Sequence, residues 1–251
     1  MEYLPIFAAA FLGAILGSFL NALLFRYNTG RSVLRGRSSC MQCGHTLSAI
    51  DLVPILSYLF LRGKCRYCHS KVSWQYPLVE LLGTVLAVGI YLELGISLYS
   101  ALALCSWFVL LFLAVYDLRH QILPWSALFL LSGLALVQIY LVEPSMVAFV
   151  AGPATALPFF LLALISRGTW MGWGDAPLGL GVGWLLGLTA GLTAVVLAFW
   201  IGASVGIVLL LLSKRYTIKS EVPFAPFLVA GAACAYFLNV DFFQNISALF
   251  L

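Results

Sequence analysis

The chain has 251 residues, of which 63% are hydrophobic and 9% charged, with 13 Lys and Arg against 9 Asp and Glu. A soluble domain carries about 25% charged residues, so this composition excludes water as the main solvent of the fold. The formal net charge of +4 suits contact with anionic lipid, and no nucleic-acid-binding motif accompanies it.

In chain order, the first apolar run covers residues 3–25, long enough to cross a bilayer, which takes about 20 helical residues. Glu2 stands where a secretion signal would be positive, and the first basic residue, Arg26, follows the run; the segment therefore reads as a retained first helix. Gly13, Gly17 and Asn21 recur every four residues and share one face, where small residues let a second helix approach closely. Packing accounts for the glycines, while Asn21, near the helix end, is a candidate for lining a site. Residues 26–71 then form a polar, basic insert that carries Cys40, Cys43, Cys65 and Cys68.

A second span is predicted at 72–92, broken only by Glu80 in Tyr76-Pro77-Leu78-Val79-Glu80. An ionisable group about one turn into a membrane helix is a functional candidate, with an arginine of the insert as the alternative partner. Further spans are predicted at 94–116, 121–142 and 144–166. Residues 176–213 make a 38-residue apolar stretch with glycines at 181, 183, 187 and 191. That is about two crossings, and the stretch is expected to split into two helices turning near Thr189–Gly191. A last span at 222–240 brings the total to eight.

Charge placement supports this count. With residues 26–71 inside, all 13 Lys and Arg fall on one side: eight from Arg26 to Lys71, then Arg119, Arg167, Lys214, Arg215 and Lys219. The other side holds Glu2, Glu93, Glu143 and Asp241. Basic residues are retained in the cytoplasm during insertion, so the insert is expected to be cytoplasmic and both termini to face outward. The fold class is an all-α polytopic membrane protein of about eight transmembrane helices with a small zinc-ribbon-like cytoplasmic insert. Its two parts are expected at 1–95 (helix one, the insert and helix two) and 96–251 (the remaining membrane core).

Cys40-Met41-Gln42-Cys43 and Cys65-Arg66-Tyr67-Cys68 are paired C-x-x-C turns. Each can hold a metal ion from one side, and two complete a tetrahedral four-sulfur site, the usual structural zinc arrangement. A segment this small has too little core to hold itself together, which gives such a staple a purpose. Disulfides do not suit a reducing compartment. Cys65-Arg66-Tyr67-Cys68-His69 also spells a haem-attachment motif, but attachment would need the outer face. His69, His45 and His120 read as surface histidines, and Cys105 and Cys234 as packing residues within spans.

Asp117 ends the third span and Asp175 opens the sixth, after Gly172-Trp173-Gly174. Either alone would be an ordinary solvated helix-end charge; two at matching depth on different helices point to a pair. Carboxyls that share a site hold one proton between them. One can then take a proton from water while the other hydrogen-bonds a peptide carbonyl. Gly172 and Gly174 would let the backbone pass close to an extended substrate. Asp175, at a helix start that Pro177 supports, is favoured as the ionised member. Asp117, at a helix C-terminus, is the expected neutral one.

These motifs resemble those of the type IV prepilin peptidases, membrane aspartic proteases of the GxGD type. The resemblance runs through Gly17-Ser18-Phe19-Leu20-Asn21, the paired cysteines, Tyr76-Pro77-Leu78-Val79-Glu80-Leu81-Leu82, and Asp117 with Leu123-Pro124. It continues through Gly172-Trp173-Gly174-Asp175 and Pro223-Phe224-Ala225-Pro226-Phe227. It implies cleavage of basic leader peptides from prepilin and pseudopilin precursors at the cytoplasmic membrane face. It also implies methylation of the new N-terminus with S-adenosylmethionine through the 1–95 region. The chain departs from the family pattern at Pro177, where lysine is common, at Met41 and Gln42 in the first cysteine pair, and at Asp51-Leu52-Val53-Pro54. The competing readings are a peptidase whose zinc-braced insert only docks substrate, an ion-coupled transporter, and a zinc-bearing scaffold without catalysis.

Overall fold

The apolar segments each form a helix. A computed structural model of the chain describes residues 3–30, 32, 35–142, 144–212, 217 and 222–244. Glu2, Arg31, Glu143, Lys214, Arg215 and Lys219, which entered the charge argument, lie outside the described residues. In chain order the helices are α1 (Leu4–Arg26), α2 (Leu56–Phe60), α3 (Gln75–Leu94), α4 (Leu98–His120), α5 (Trp125–Val142), α6 (Met146–Ser166), α7 (Asp175–Leu186), α8 (Leu188–Leu212) and α9 (Ala225–Phe237). A 3-10 turn at Ile50–Leu52 precedes α2. The described residues form two compact units, Met1–Leu104 and Cys105–Leu251.

Helix length supports six of the eight expected crossings. Among the described residues, six helices are long and apolar enough to cross a membrane: α1, α3, α4, α5, α6 and α8. The protein is thus a multi-pass membrane protein. The other two apolar segments form shorter helices, 12 residues in α7 and 13 in α9. At about 1.5 Å per residue each spans roughly 20 Å, short of the ~30 Å hydrocarbon layer. The long apolar stretch breaks at Gly187, earlier than the expected Thr189–Gly191. Gly187 has φ +85° and caps α7, a backbone setting in which glycine avoids the Cβ clash.

In the first unit, α1 packs along α3 on the face predicted for Gly13 and Gly17. A Cβ on Gly17 would stand 2.7 Å from the Glu80 Cα, and one on Gly13 would stand 2.7 Å from the Ala87 Cβ. Close backbone approach of this kind is what small residues allow in a lipid solvent.

In the second unit, α7 is central and packs against α5, α6, α8 and α9. Two polar contacts join it to α6. The buried Thr155 hydroxyl of α6 donates towards Gly179 O of α7 at 2.9 Å and lies as near to its own helix's Ala151 and Gly152 carbonyls. Pro153 lies inside α6 and has no N–H, which removes the normal partner of the carbonyl four residues earlier. That carbonyl, Phe149 O, instead accepts from Trp184 Nε1 of α7 at 2.9 Å. In hydrocarbon no water could take that place.

Candidate active site and cysteine module

Asp117 lies in the last turn of α4 and Asp175 is the first residue of α7. Both are buried, at 6% and 7% exposure. They are near enough for the charge of Asp117 to act on Asp175. The Asp175 Oδ2 accepts from Gly172 N–H at 3.1 Å, and the Asp117 Oδ2 accepts from Ala225 N–H at 3.2 Å.

Ala225 is the first residue of α9 and fully buried, so its N–H brings the positive end of a helix to Asp117. This contact offsets the penalty expected for Asp117 at the end of α4 and narrows the asymmetry argued from helix ends. The start of α9 is held by Phe224, whose ring lies 5.5 Å from Phe159 and 5.2 Å from Phe199. Sequence reasoning missed Ala225 as a partner; its sequence signal is Pro226, which marks a helix start.

The two glycines make room for the site's own side chains. A Cβ on Gly172 would stand 3.3 Å from the Asp175 Oδ2. One on Gly174 would stand 3.0 Å from the Leu123 Cβ, so the chain that follows Asp117 closes directly on the loop that leads to Asp175. Leu123 is thereby a packing partner of the Gly172–Gly174 loop.

In the insert, Cys40, Cys43, Cys65 and Cys68 converge, with all four Sγ atoms within 4.8 Å of one another. Sulfurs at about 2.3 Å from a zinc ion stand roughly 3.8 Å apart in a tetrahedron, and Cys40 Sγ and Cys68 Sγ are 3.8 Å apart. All four are free thiols, so the donor set fits a structural zinc ion.

The two turns repeat one backbone pattern. Cys40 N–H donates to His45 O and Cys65 N–H to Ser70 O, both at 2.9 Å. Gly44 N–H and His69 N–H donate back to Cys40 O and Cys65 O. Gly44 and His69 both take positive φ, +70° and +55°. Bridges Ser39–Thr46 and Lys64–Lys71 close the two loops at equivalent places. The N–H groups of Cys43 and Gln42 point at the Cys40 sulfur and bring its pKa down to about 6, which favours the thiolate that a metal requires.

Asp51 is the hub between this module and the following turn. Its carboxylate accepts from Ser48 N–H and Oγ, from Arg66 Nε at 2.6 Å and from Tyr67 OH at 3.1 Å. Burial opposes the charge, but the bonds from Arg66, Ser48 and Tyr67 outweigh it and hold the carboxyl well below its usual range. Arg66 and Tyr67 are the two middle residues of the second C-x-x-C. Nothing in the sequence marked Asp51 for this role.

Comparison with known proteins places the chain. A family model described as the Bacterial Peptidase A24 N-terminal domain matches residues 11–94, and one described as the Type IV leader peptidase family matches residues 102–207. A Bacillus subtilis (strain 168) protein named Prepilin leader peptidase/N-methyltransferase is 34% identical over 228 residues, covering 89% of this chain and 90% of its own. The chain belongs to the type IV leader peptidase family. Members of the same name from Burkholderia pseudomallei (strain 1026b) and Vibrio cholerae are 35% and 33% identical, over 82% and 75% of this chain and 69% and 80% of theirs. No solved structure matches the chain significantly.

The remaining site candidates lie in the part matched by the family's N-terminal domain. Asn21 is buried and donates from Nδ2 to Tyr76 O at 3.1 Å, and its Oδ1 lies 3.4 Å from Gln75 Nε2. It ties α1 to the start of α3. Glu80 is 7% exposed; its Oε2 accepts from Ile55 N–H at 2.7 Å, and Ser18 also hydrogen-bonds it. Its partner from the insert is therefore a backbone amide. Ile55 has φ +60° and ψ −52°, and Leu56 N–H donates to Pro54 O at 2.5 Å. This is a γ-turn of the rare, strained hand, and a β-branched residue at its centre is a genuine outlier.

Proposed function

We propose that this member of the family cleaves the basic leader from type IV prepilins and pseudopilins at the cytoplasmic face of the bacterial inner membrane, with Asp117 and Asp175 as the catalytic pair. The observation that carries the reading is the convergence of two buried carboxyls, each held by one backbone N–H, from helices distant in sequence. Such a pair shares one proton. The ionised carboxylate, taken as Asp175, removes a proton from water as the oxygen attacks the peptide carbonyl. The neutral carboxyl, taken as Asp117, hydrogen-bonds the carbonyl oxygen. On collapse the C–N bond breaks and the departing amine takes a proton from the pair. Both termini would face outward, as the charge partition implies.

The relatives' names also support N-methylation of the new terminus, which we assign to residues 1–95, with 96–251 as the peptidase core. S-adenosylmethionine would supply the methyl group. The open cleft of about 330 Å³ at the end of α1 is lined by Arg26, Arg35 and Arg37. That basic lining does not fit a sulfonium cation, so no methyl-transfer step is routed through it. Cys40, Cys43, Cys65 and Cys68 would hold zinc as a structural brace for the insert.

The test is cleavage of a prepilin by purified protein reconstituted in lipid, beside Asp117→Ala and Asp175→Ala. Both variants are expected to be inactive; residual cleavage by either removes the pair. A labelled methyl donor in the same assay reads the second activity separately.

A further inference from the structure

Helix α2 presents an apolar stripe away from the protein. Leu56, Leu59 and Phe60 stand at i, i+3 and i+4, so they share one face, and they are 52%, 62% and 83% exposed. Ile50 lies in the 3-10 turn that packs on α2 and is 70% exposed. A water-facing insert would not keep a contiguous apolar patch of this kind without an occupant.

The position of α2 identifies that occupant. On the face of α2 turned away from the stripe, the Tyr58 ring lies 5.4 Å from the Trp74 ring, and Tyr58 OH donates to Val72 O at 3.4 Å. Trp74 is itself 78% exposed and immediately precedes Gln75, where the membrane-length helix α3 begins. A tryptophan at the end of a span belongs to the headgroup layer. The contact between Tyr58 and Trp74 therefore fixes α2 at that depth. Arg62 and Lys64 follow α2, and Lys71 precedes Trp74. A short helix with an apolar face and a basic rim, held at the interface, is built to lie on a bilayer.

We propose that α2 is an interfacial anchor: Leu56, Leu59 and Phe60, held at the depth of Trp74, seat the cysteine module on the lipid of the same leaflet. The apolar stripe then faces acyl chains, and the module's polar side faces water.

The full chain, reconstituted in nanodiscs of phosphatidylethanolamine and phosphatidylglycerol, tests this with the photoreactive residue benzoylphenylalanine. It is placed at position 60, at position 59, or at position 41 on the first cysteine turn, where Met41 is 67% exposed. All three sites are open, so the replacements leave the fold intact, and bound-metal content checks that directly. After illumination, mass spectrometry is expected to find phospholipid adducts at positions 59 and 60 and loss of that adduct at 41. Three results would overturn the anchor. One is crosslinking from 59 and 60 to protein, whether this chain or an added pilin peptide; the others are no lipid adduct at either position and equal lipid adduct at position 41.

Discussion

Replacing Glu80 with alanine removes the acceptor of the Ile55 N–H while leaving α3 a good helix former in its place. The lost bond is short, 2.7 Å, and joins residues 25 apart in the chain. A fully buried N–H left without an acceptor costs about 1–3 kcal/mol, and Ile55 is half-buried, so the loss lies towards the lower part of that range. The positive φ of Ile55 acts in the same direction, because opening the turn releases strain that the carboxylate holds in place. Taking about 2 kcal/mol as the net effect, the turn opens roughly 30-fold more often. The affected amides are those that depend on its geometry: Leu56, which donates to Pro54 O, Ser57 to Val53 O and Leu59 to Ile55 O. Hydrogen exchange followed by mass spectrometry on the 53–61 peptide reads this directly, with peptides of α3 as the internal reference. Glu80→Gln keeps an acceptor oxygen and is expected to restore most of the protection. Equal exchange in wild type and Glu80→Ala, or equal acceleration by Ala and Gln, would refute the latch.

Trp184→Phe should leave the Phe149 carbonyl without its donor and destabilise the second unit by about 1–3 kcal/mol. Adding Pro153→Ala returns an N–H within the helix and should recover part of that loss in a detergent melting curve. Thr155→Val removes the α6–α7 hydroxyl contact and should lower stability by about 1 kcal/mol, read in the same assay. Chelation, or Cys40→Ser, should strip the metal and accelerate exchange across 38–71, with bound zinc measured by elemental analysis. The Asp51 carboxyl is held below its ordinary pKa, so its contribution is present above the unfolded value of about 3.9 and fades as pH falls below it. Protection of the 45–70 segment should accordingly drop on acidification in wild type and respond less in Asp51→Asn.

Local chemistry and solvent made much of this protein readable from its sequence. Apolar runs had to become helices, because hydrocarbon offers backbone groups no other partner. The C-x-x-C turns carry their own geometry, so the pairing of Cys40–Cys43 with Cys65–Cys68 followed from spacing. The small-residue face of α1 was visible from a period of four. Asp117 and Asp175 stood out as carboxylates at span ends.

Tertiary structure decided what depends on approach between distant segments. Hydropathy measures apolar length but not where a helix stops, so two of the eight segments proved to be the short helices α7 and α9. Gly172 and Gly174 also make room for Asp175 and Leu123, whose side chains lie where a Cβ would crowd them. Ala225, 108 residues beyond Asp117 in the chain, supplies an amide to its carboxylate, a contact that no helix-end argument anticipates. Glu80, a functional candidate with an insert arginine as its alternative partner, accepts from the Ile55 N–H of a strained turn. A sequence specifies each helix through local propensity and solvent, but the electrostatics of a buried carboxyl is set by whichever backbone dipoles packing brings to it.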